Sequence, residues 1–141
     1  MANDAGDFAR SMSIATSGLR AQAGRMRVIS ENIANADSTA ASAGGDPYRR
    51  KVPTFSSELD RSLDARVVTL GRVRPDQSAF RVKYEPNNPA ADAAGNVKYP
   101  NVNPVIEMTD MREAQRSYEA NLNIISATRR MIQRTLDILK A

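Results

Sequence analysis

The sequence predicts an α+β fold: a long amphipathic helix at each end of the chain, the two packing together as a coiled-coil-like pair, with a small β-rich domain between them. Three observations predict it. The first and last parts of the chain carry apolar residues at heptad spacing. All the prolines but Pro104, together with Gly44, Gly45, Gly71 and Gly95, fall in the middle. That middle also holds short stretches with period-two alternation, the mark of strands. The expected division is residues 1–36, 37–102 and 103–141.

In the first part, Phe8, Met12, Ala15, Leu19, Met26, Ile29 and Ile33 follow alternating steps of four and three, with Gln22 in the one missing slot. One stripe of a helix collects them all. Asp4 and Asp7 stand near the start, where a carboxylate caps free N–H groups and suits the helix dipole. Gly18 and Gly24 each weaken a helix by roughly 1 kcal/mol relative to Ala. They are either tolerated defects or places where another backbone comes close.

"ENIANADST", Glu31 to Thr39, closes this segment, with Asn32 and Asn35 around Ile33. Asparagine is poor inside a helix and good at ending one. Two readings stand: both amides serve the helix end, or one caps while the other bonds across to a neighbouring subunit.

The last part is the more regular. Asn103-Pro104 is a helix start, Asn as N-cap and Pro in first position. Met111, Tyr118, Ile125, Ile132 and Leu139 then recur every seven residues. A second column, Met108, Leu122 and Leu136, is interrupted by Gln115 and Arg129. Glu107, Asp110 and Glu113 come early and read as a solvated first face, while Arg129, Arg130, Arg134 and Lys140 come late, a polarity that suits the dipole. Such a helix is roughly 55 Å long, more than a domain of this size can wrap. Much of its stripe must face the other terminal helix or another chain.

In the middle, "YRRKVPTF" (Tyr48 to Phe55) reads as extended and "VVTLGRVR" (Val67 to Arg74) as a strand. "AFRVKYEP" alternates Phe80, Val82 and Tyr84 against polar neighbours, as a half-buried strand does, and "GNVKYP" can return beside it. "EPNNPAADAAGN" between them is turn and loop by its chemistry. Fewer than about 70 residues make this β region marginal by itself.

Composition narrows the function. With 41% hydrophobic and 26% charged residues in 141, the chain folds rather than stays disordered. The net charge is +4 with a pI near 9.8. Its cations are interspersed with anions, so they solvate helical faces; the densest run, Arg49 to Lys51, is short. Tyr48 beside Arg49 and Arg50 is thin ground for nucleic-acid binding. There is neither cysteine nor histidine, which removes disulfides, thiolate or imidazole metal sites and the usual nucleophile–base pairs. No P-loop, dinucleotide fingerprint or nucleophile elbow is present, and no cofactor is expected. Asp92, Gly95 and Asn96 read as a plain turn rather than a cation loop. No run of apolar residues is long enough to span a membrane, and no positive region followed by an apolar stretch marks a cleaved signal.

Three stretches carry a resemblance. "SGLRAQAGRMRVISENIANADST", with Asn32, Ile33, Ala34 and Asn35 at its end, resembles the N-terminal signature of flagellar basal-body rod proteins. "GGDPYRRKVPTF" (Gly44 to Phe55) resembles the stretch that sets the C-type, proximal rod family apart from its sisters. "YPNVNPVIEMTDMREAQRSYEAN" resembles the C-terminal signature, with Met108, Met111, Ser117, Tyr118, Glu119, Ala120 and Asn121 in matching places. Pro104 departs from it, standing where an aliphatic residue is the rule, but it fits the first position of a helix.

The resemblance implies a structural subunit of the bacterial flagellar basal body, with no catalysis. Terminal helices of such proteins form the inner tube of the rod and the middle forms a small outer domain. The subunit is exported without a cleaved signal through the flagellar type III apparatus and assembles in the periplasm. There it would join other rod proteins and the membrane-ring and export-apparatus junction proteins, and carry torque to the distal rod and hook. Neither nucleic acid nor membrane insertion is implied. Head-to-tail contacts that do not close give an open helical stack, here hetero-oligomeric. From the stripes and the resemblance together, the expected subunit-interface residues are Phe8, Met12, Leu19, Met26, Ile29, Asn32, Ile33, Asn35, Met108, Met111, Tyr118, Asn121, Leu122, Ile125, Ile132, Leu136 and Leu139. The termini are expected to be partly disordered in the free subunit and to order on assembly. The competing reading is an autonomous coiled-coil adaptor; a small basic nucleic-acid binder is a further one, and an enzyme comes last.

Overall fold

The computed structural model describes residues 2–140, and among them not the side chains of residues 2–5 or of Leu139. The capping expected of Asp4 and the interface place expected of Leu139 therefore lie outside the described residues. In chain order the elements are α1 (Ala2–Ala34), β1 (Lys51–Val52), β2 (Phe55–Asp60), β3 (Ala65–Leu70), β4 (Arg74–Pro75), β5 (Arg81–Tyr84), β6 (Asn96–Tyr99) and α2 (Pro104–Lys140). The fold is α+β, two long terminal helices packing together with short strands between them. The chain divides into two compact units, each drawing on both helices.

One unit comprises Met26–Thr54 and Arg72–Arg112. β1 pairs antiparallel with β4 over two residues, Lys51 with Pro75 and Val52 with Arg74. β5 pairs antiparallel with β6 from Arg81 opposite Tyr99 to Tyr84 opposite Asn96, so "GNVKYP" does return beside "AFRVKYEP". Val28, Ile29, Ala36, Ala90, Val97, Pro100 and Val102 are buried here. The half-buried β5 expected from its alternation is not found: Val82 is 60% and Tyr84 72% exposed. A two-stranded ribbon has no second layer over this face, and the buried side chain of the pair is Val97 on β6. Asp92 Oδ1 accepts from the amides of Ala94 and Asn96, each at 2.9 Å, and Gly95 takes φ +81°, so this loop is a turn.

The other unit comprises Met1–Arg25, Phe55–Gly71 and Glu113–Ala141. β2 and β3 form a hairpin in continuous register from Phe55 opposite Leu70 to Asp60 opposite Ala65. β2 was not legible as a strand, because "FSSELD" is mostly polar and all but Asp60 are exposed. The hairpin turns through Asp64, held at φ 45°, while Asp60 Oδ1 accepts from the Ser62 amide at 2.9 Å. The interior is made of small side chains: Ala15, Ala21, Ala114 and Thr128 are buried.

Here the glycines have their reason. A β-carbon at position 18 would lie 2.8 Å from Nδ2 of Asn121, and one at position 24 would lie 2.6 Å from Cδ2 of Leu70. Close approach is real at both, and side chains rather than backbones make it. Arg25 and Glu113 approach to 3.7 Å in the same unit. Asp7 does not cap: α1 begins before it, and it lies 3.7 Å from Arg10 one turn on.

Along α2 the heptad expectation holds for one column and fails for the other. Met111, Tyr118, Ile125 and Ile132 are half-buried. Met108, Leu122 and Leu136 are exposed, at 54%, 42% and 46%. The column that completes the seam is Glu107, Ala114, Asn121 and Thr128, of which Glu107, Ala114 and Thr128 are buried. Small and polar residues line it because α1 comes near, and the large apolar ones stand outside.

Candidate functional site

Asn32 occupies the last turns of α1, on the face that carries Val28 and Ile29, and is fully buried. Its amide uses every bond it can make. Nδ2 donates to the Lys51 carbonyl at 2.8 Å and to Glu107 Oε2 at 3.0 Å. Oδ1 accepts from the Tyr48 hydroxyl and from the Lys51 amide, both at 2.9 Å. All four of these bonds are made within the chain. Asn35 caps: its Nδ2 donates to the Glu31 carbonyl at 2.8 Å, a second bond to an oxygen at the end of α1 that also accepts from the Asn35 amide at 3.2 Å.

Glu107 is placed by the start of α2. Asn103 Oδ1 accepts from the Val105 amide at 3.1 Å and Pro104 opens the helix, which turns Glu107 inward one turn later. Glu107 is 1% exposed, so the solvated first face expected of it is corrected. Its Oε1 accepts from Arg50 Nε at 2.6 Å while Oε2 takes Asn32. The cause lies in the extended stretch after Tyr48, which carries a guanidinium to meet the carboxylate.

Arg50 is the second centre. Its guanidinium lies 3.5 Å from Asp76 Oδ2 and 3.9 Å from Asp110 Oδ2. Its amide donates to Asn101 Oδ1 at 2.8 Å, and its carbonyl accepts from the Asp76 amide at 2.8 Å, extending the β1–β4 pairing. Asn101 Nδ2 in turn reaches the Asp76 carbonyl at 3.1 Å and Ser78 Oγ at 2.8 Å. Arg49 stacks over Phe80, 4.2 Å from the ring centre, and donates to the Asp76 carbonyl at 3.0 Å. Lys51 pairs with Glu31 on α1. The short cationic run is therefore spent inside the chain.

Electrostatics follow from the burial and the pairing. Burial, helped by the charges of Glu31 and Glu107, pushes the Tyr48 phenol up to about 12. Burial pulls Arg50 down, but the hydrogen bonds and charges of Glu107 and Asp76 outweigh it and the guanidinium is held above its ordinary value. Asp76 is held below the ordinary carboxylate value, first by the Ser78 amide and hydroxyl and then by Arg50. A lowered folded-state value stabilises the fold above the unfolded value and stops doing so as pH falls through the folded one. Stability should therefore fall below about pH 4, and Asp76→Asn should flatten that part of the fall. Circular dichroism during acid titration checks it; a profile unmoved by Asp76→Asn removes Asp76 from the account.

Every polar group of this hub is engaged by another part of the same chain, so what it can do is hold α1, the Tyr48–Val52 stretch, the loop after β4 and α2 together. Among the described residues, no group of three or more Asp or Glu side chains is placed to hold a metal ion. Of the expected interface residues, Ile29 and Asn32 are buried within the chain. Phe8, Met12, Leu19, Met26, Ile33, Asn35, Met111, Tyr118, Asn121, Ile125 and Ile132 are half-buried. Met108, Leu122 and Leu136 are open to solvent, as are Ile124, Met131 and Ile138, which recur every seven residues on α2 and were not singled out from the sequence. Tyr48, Arg50, Asp76, Asn101 and Glu107 were missed as a group. The one signal for them was the crowding of aromatic and cation in "YRRK".

Comparison with known proteins adds the following. A family described as "Flagella basal body rod protein" matches residues 12–40, and one described as "Flagellar basal body rod FlgEFG protein C-terminal" matches residues 93–138. The flagellar basal-body rod protein FlgC of Agrobacterium fabrum is 54% identical over 91% of this chain and 92% of its own length. FlgC of Bacillus subtilis is 38% identical over 92% of this chain and 97% of its own, and FlgC of Salmonella typhimurium 39% over 89% and 92%.

Proposed function

Since the chain belongs to the FlgC family of flagellar basal-body rod proteins, we propose that it builds the proximal part of the rod and passes torque from the membrane ring towards the distal rod and hook. It is a structural rod subunit, and the adaptor reading finds no support among its relatives. Similarity to FlgC proteins along nine-tenths of the chain, covering both terminal helices and the stretch between them, carries this reading. Residues 1–36 and 103–141 would form the rod core and 37–102 the outer domain. The apolar side chains left open on α2, Met108, Leu122 and Leu136, together with half-buried residues of both stripes, would meet neighbouring axial subunits. Partners of this kind, export through the flagellar type III apparatus without a cleaved signal, and termini that order on assembly complete the proposal, with no catalytic step.

Deleting the gene and imaging purified basal bodies tests it. Membrane rings without rod or hook, and swimming restored from a plasmid copy, are expected. Complete rods in cells that still swim would overturn it.

A further inference from the structure

We propose that the Asn32–Glu107 pair is a register pin, selecting the one antiparallel alignment of α1 and α2 in which Gly18 faces Asn121. Two pairings within single units define that alignment. Asn32 bonds Glu107 in one unit, and position 18 abuts Asn121 in the other. Going from the first pairing to the second takes fourteen residues back along α1 and fourteen forward along α2, two heptads on each helix. The two pairings are thus separated by the same number of residues on each helix.

Away from the hub, the approach of Arg25 to Glu113 at 3.7 Å is solvent-exposed on the Glu113 side and contributes little, and the helices offer little else to choose that register. Small residues recur every three positions on α1, at Ala15, Gly18, Ala21 and Gly24, and Ala114 and Thr128 are the buried residues facing inward from α2 in that unit. Shallow seams of this sort accept a slip of one turn with an alanine or glycine again in place. Polar groups do not. A slip of three or four residues moves Asn32 about 5 Å along the axis from Glu107. The bond between the two buried groups is then broken, leaving one Asn32 proton and one Glu107 oxygen unpaired. A single buried polar contact fixing the alignment of helices is the best attested service of such groups.

The chain has no cysteine, so paired substitutions give one possible intramolecular disulfide each. Gly18→Cys is combined in the full-length chain with Asn121→Cys, or with Tyr118→Cys or Ile125→Cys one turn to either side. The variants are oxidised in a glutathione buffer and the products are read by peptide mass spectrometry. With the hub intact, the 18–121 bond should form at least about tenfold more readily than 18–118 or 18–125, because disulfide geometry tolerates little displacement. Replacing the hub with Asn32→Leu, Arg50→Met and Glu107→Met should erase that preference. Comparable yields of the three bonds with the hub intact, or no 18–121 bond, overturn the proposal whether or not the replaced chain folds. So does an undiminished preference for 18–121 in a replaced chain that keeps its helical circular dichroism, since the small-residue seam would then set the register unaided.

Discussion

Glu107→Ala should lower the stability of the folded chain by about 3 kcal/mol, the loss that follows when one partner of a buried ion pair is removed. Its carboxylate is 1% exposed and receives Arg50 at 2.6 Å and Asn32 at 3.0 Å. Truncation leaves the Arg50 guanidinium with only the longer approaches to Asp76 and Asp110, at 3.5 and 3.9 Å. It also leaves one proton of the Asn32 amide without an acceptor in a place water does not reach, a further desolvation cost. Glu107→Gln keeps an oxygen for one of the two donors but removes the charge, and should lose roughly half as much. Urea denaturation of the full-length chain measures both. An Ala variant within about 1 kcal/mol of the parent would mean that solvent or another side chain replaces the carboxylate, and the hub would no longer count as a source of stability.

Asn32 and Asn35 should behave very differently although three residues apart. Asn32→Ala removes four hydrogen bonds and strands the Lys51 amide and carbonyl, the Tyr48 hydroxyl and one oxygen of Glu107. At roughly 1 kcal/mol or more for each buried group left unpaired, a loss of about 3–4 kcal/mol is expected. Asn35→Ala removes a single bond to the Glu31 carbonyl at the helix end, where water can substitute, and should lose less than about 1 kcal/mol. Denaturation midpoints of the two variants, taken side by side, decide it. Equal losses would show that the second asparagine does more within the chain than cap α1.

Much of the fold could be read from residue spacing, and the hub could not. The helices announced themselves through Met12, Leu19 and Met26 and through Met111, Tyr118, Ile125 and Ile132, because repetition along one helix is a local property. Asn103-Pro104 marked the start of α2 for the same reason. Glu107 gave no such sign. Its partners Asn32 and Arg50 lie 75 and 57 residues away, and from its neighbours alone an acidic residue in a first helical turn belongs in water. Selecting for apolar residues likewise favoured Met108, Leu122 and Leu136 over Ala114 and Thr128, although close helices bury the small residues and leave the large ones outside. β2 was hidden by its composition: a polar hairpin strand is held by the register of its partner rather than by a buried face.

The hub also sets a tempo. The Asn32–Glu107 bond closes a loop across 75 residues of sequence, and the Arg50–Glu107 bond one across 57. Contacts so far apart must spend chain entropy before any of it is returned, which makes for slow folding. A chain that emerges with its N-terminus leading brings out Asn32, Tyr48 and Arg50 while Glu107 is still behind. Until α2 begins to appear Asn32 has Tyr48 and Lys51 to bond and Arg50 has Asp76 and Asn101, but neither has Glu107, and the hub closes after most of the chain has passed. The Glu107 bonds are then the last of the hub to form.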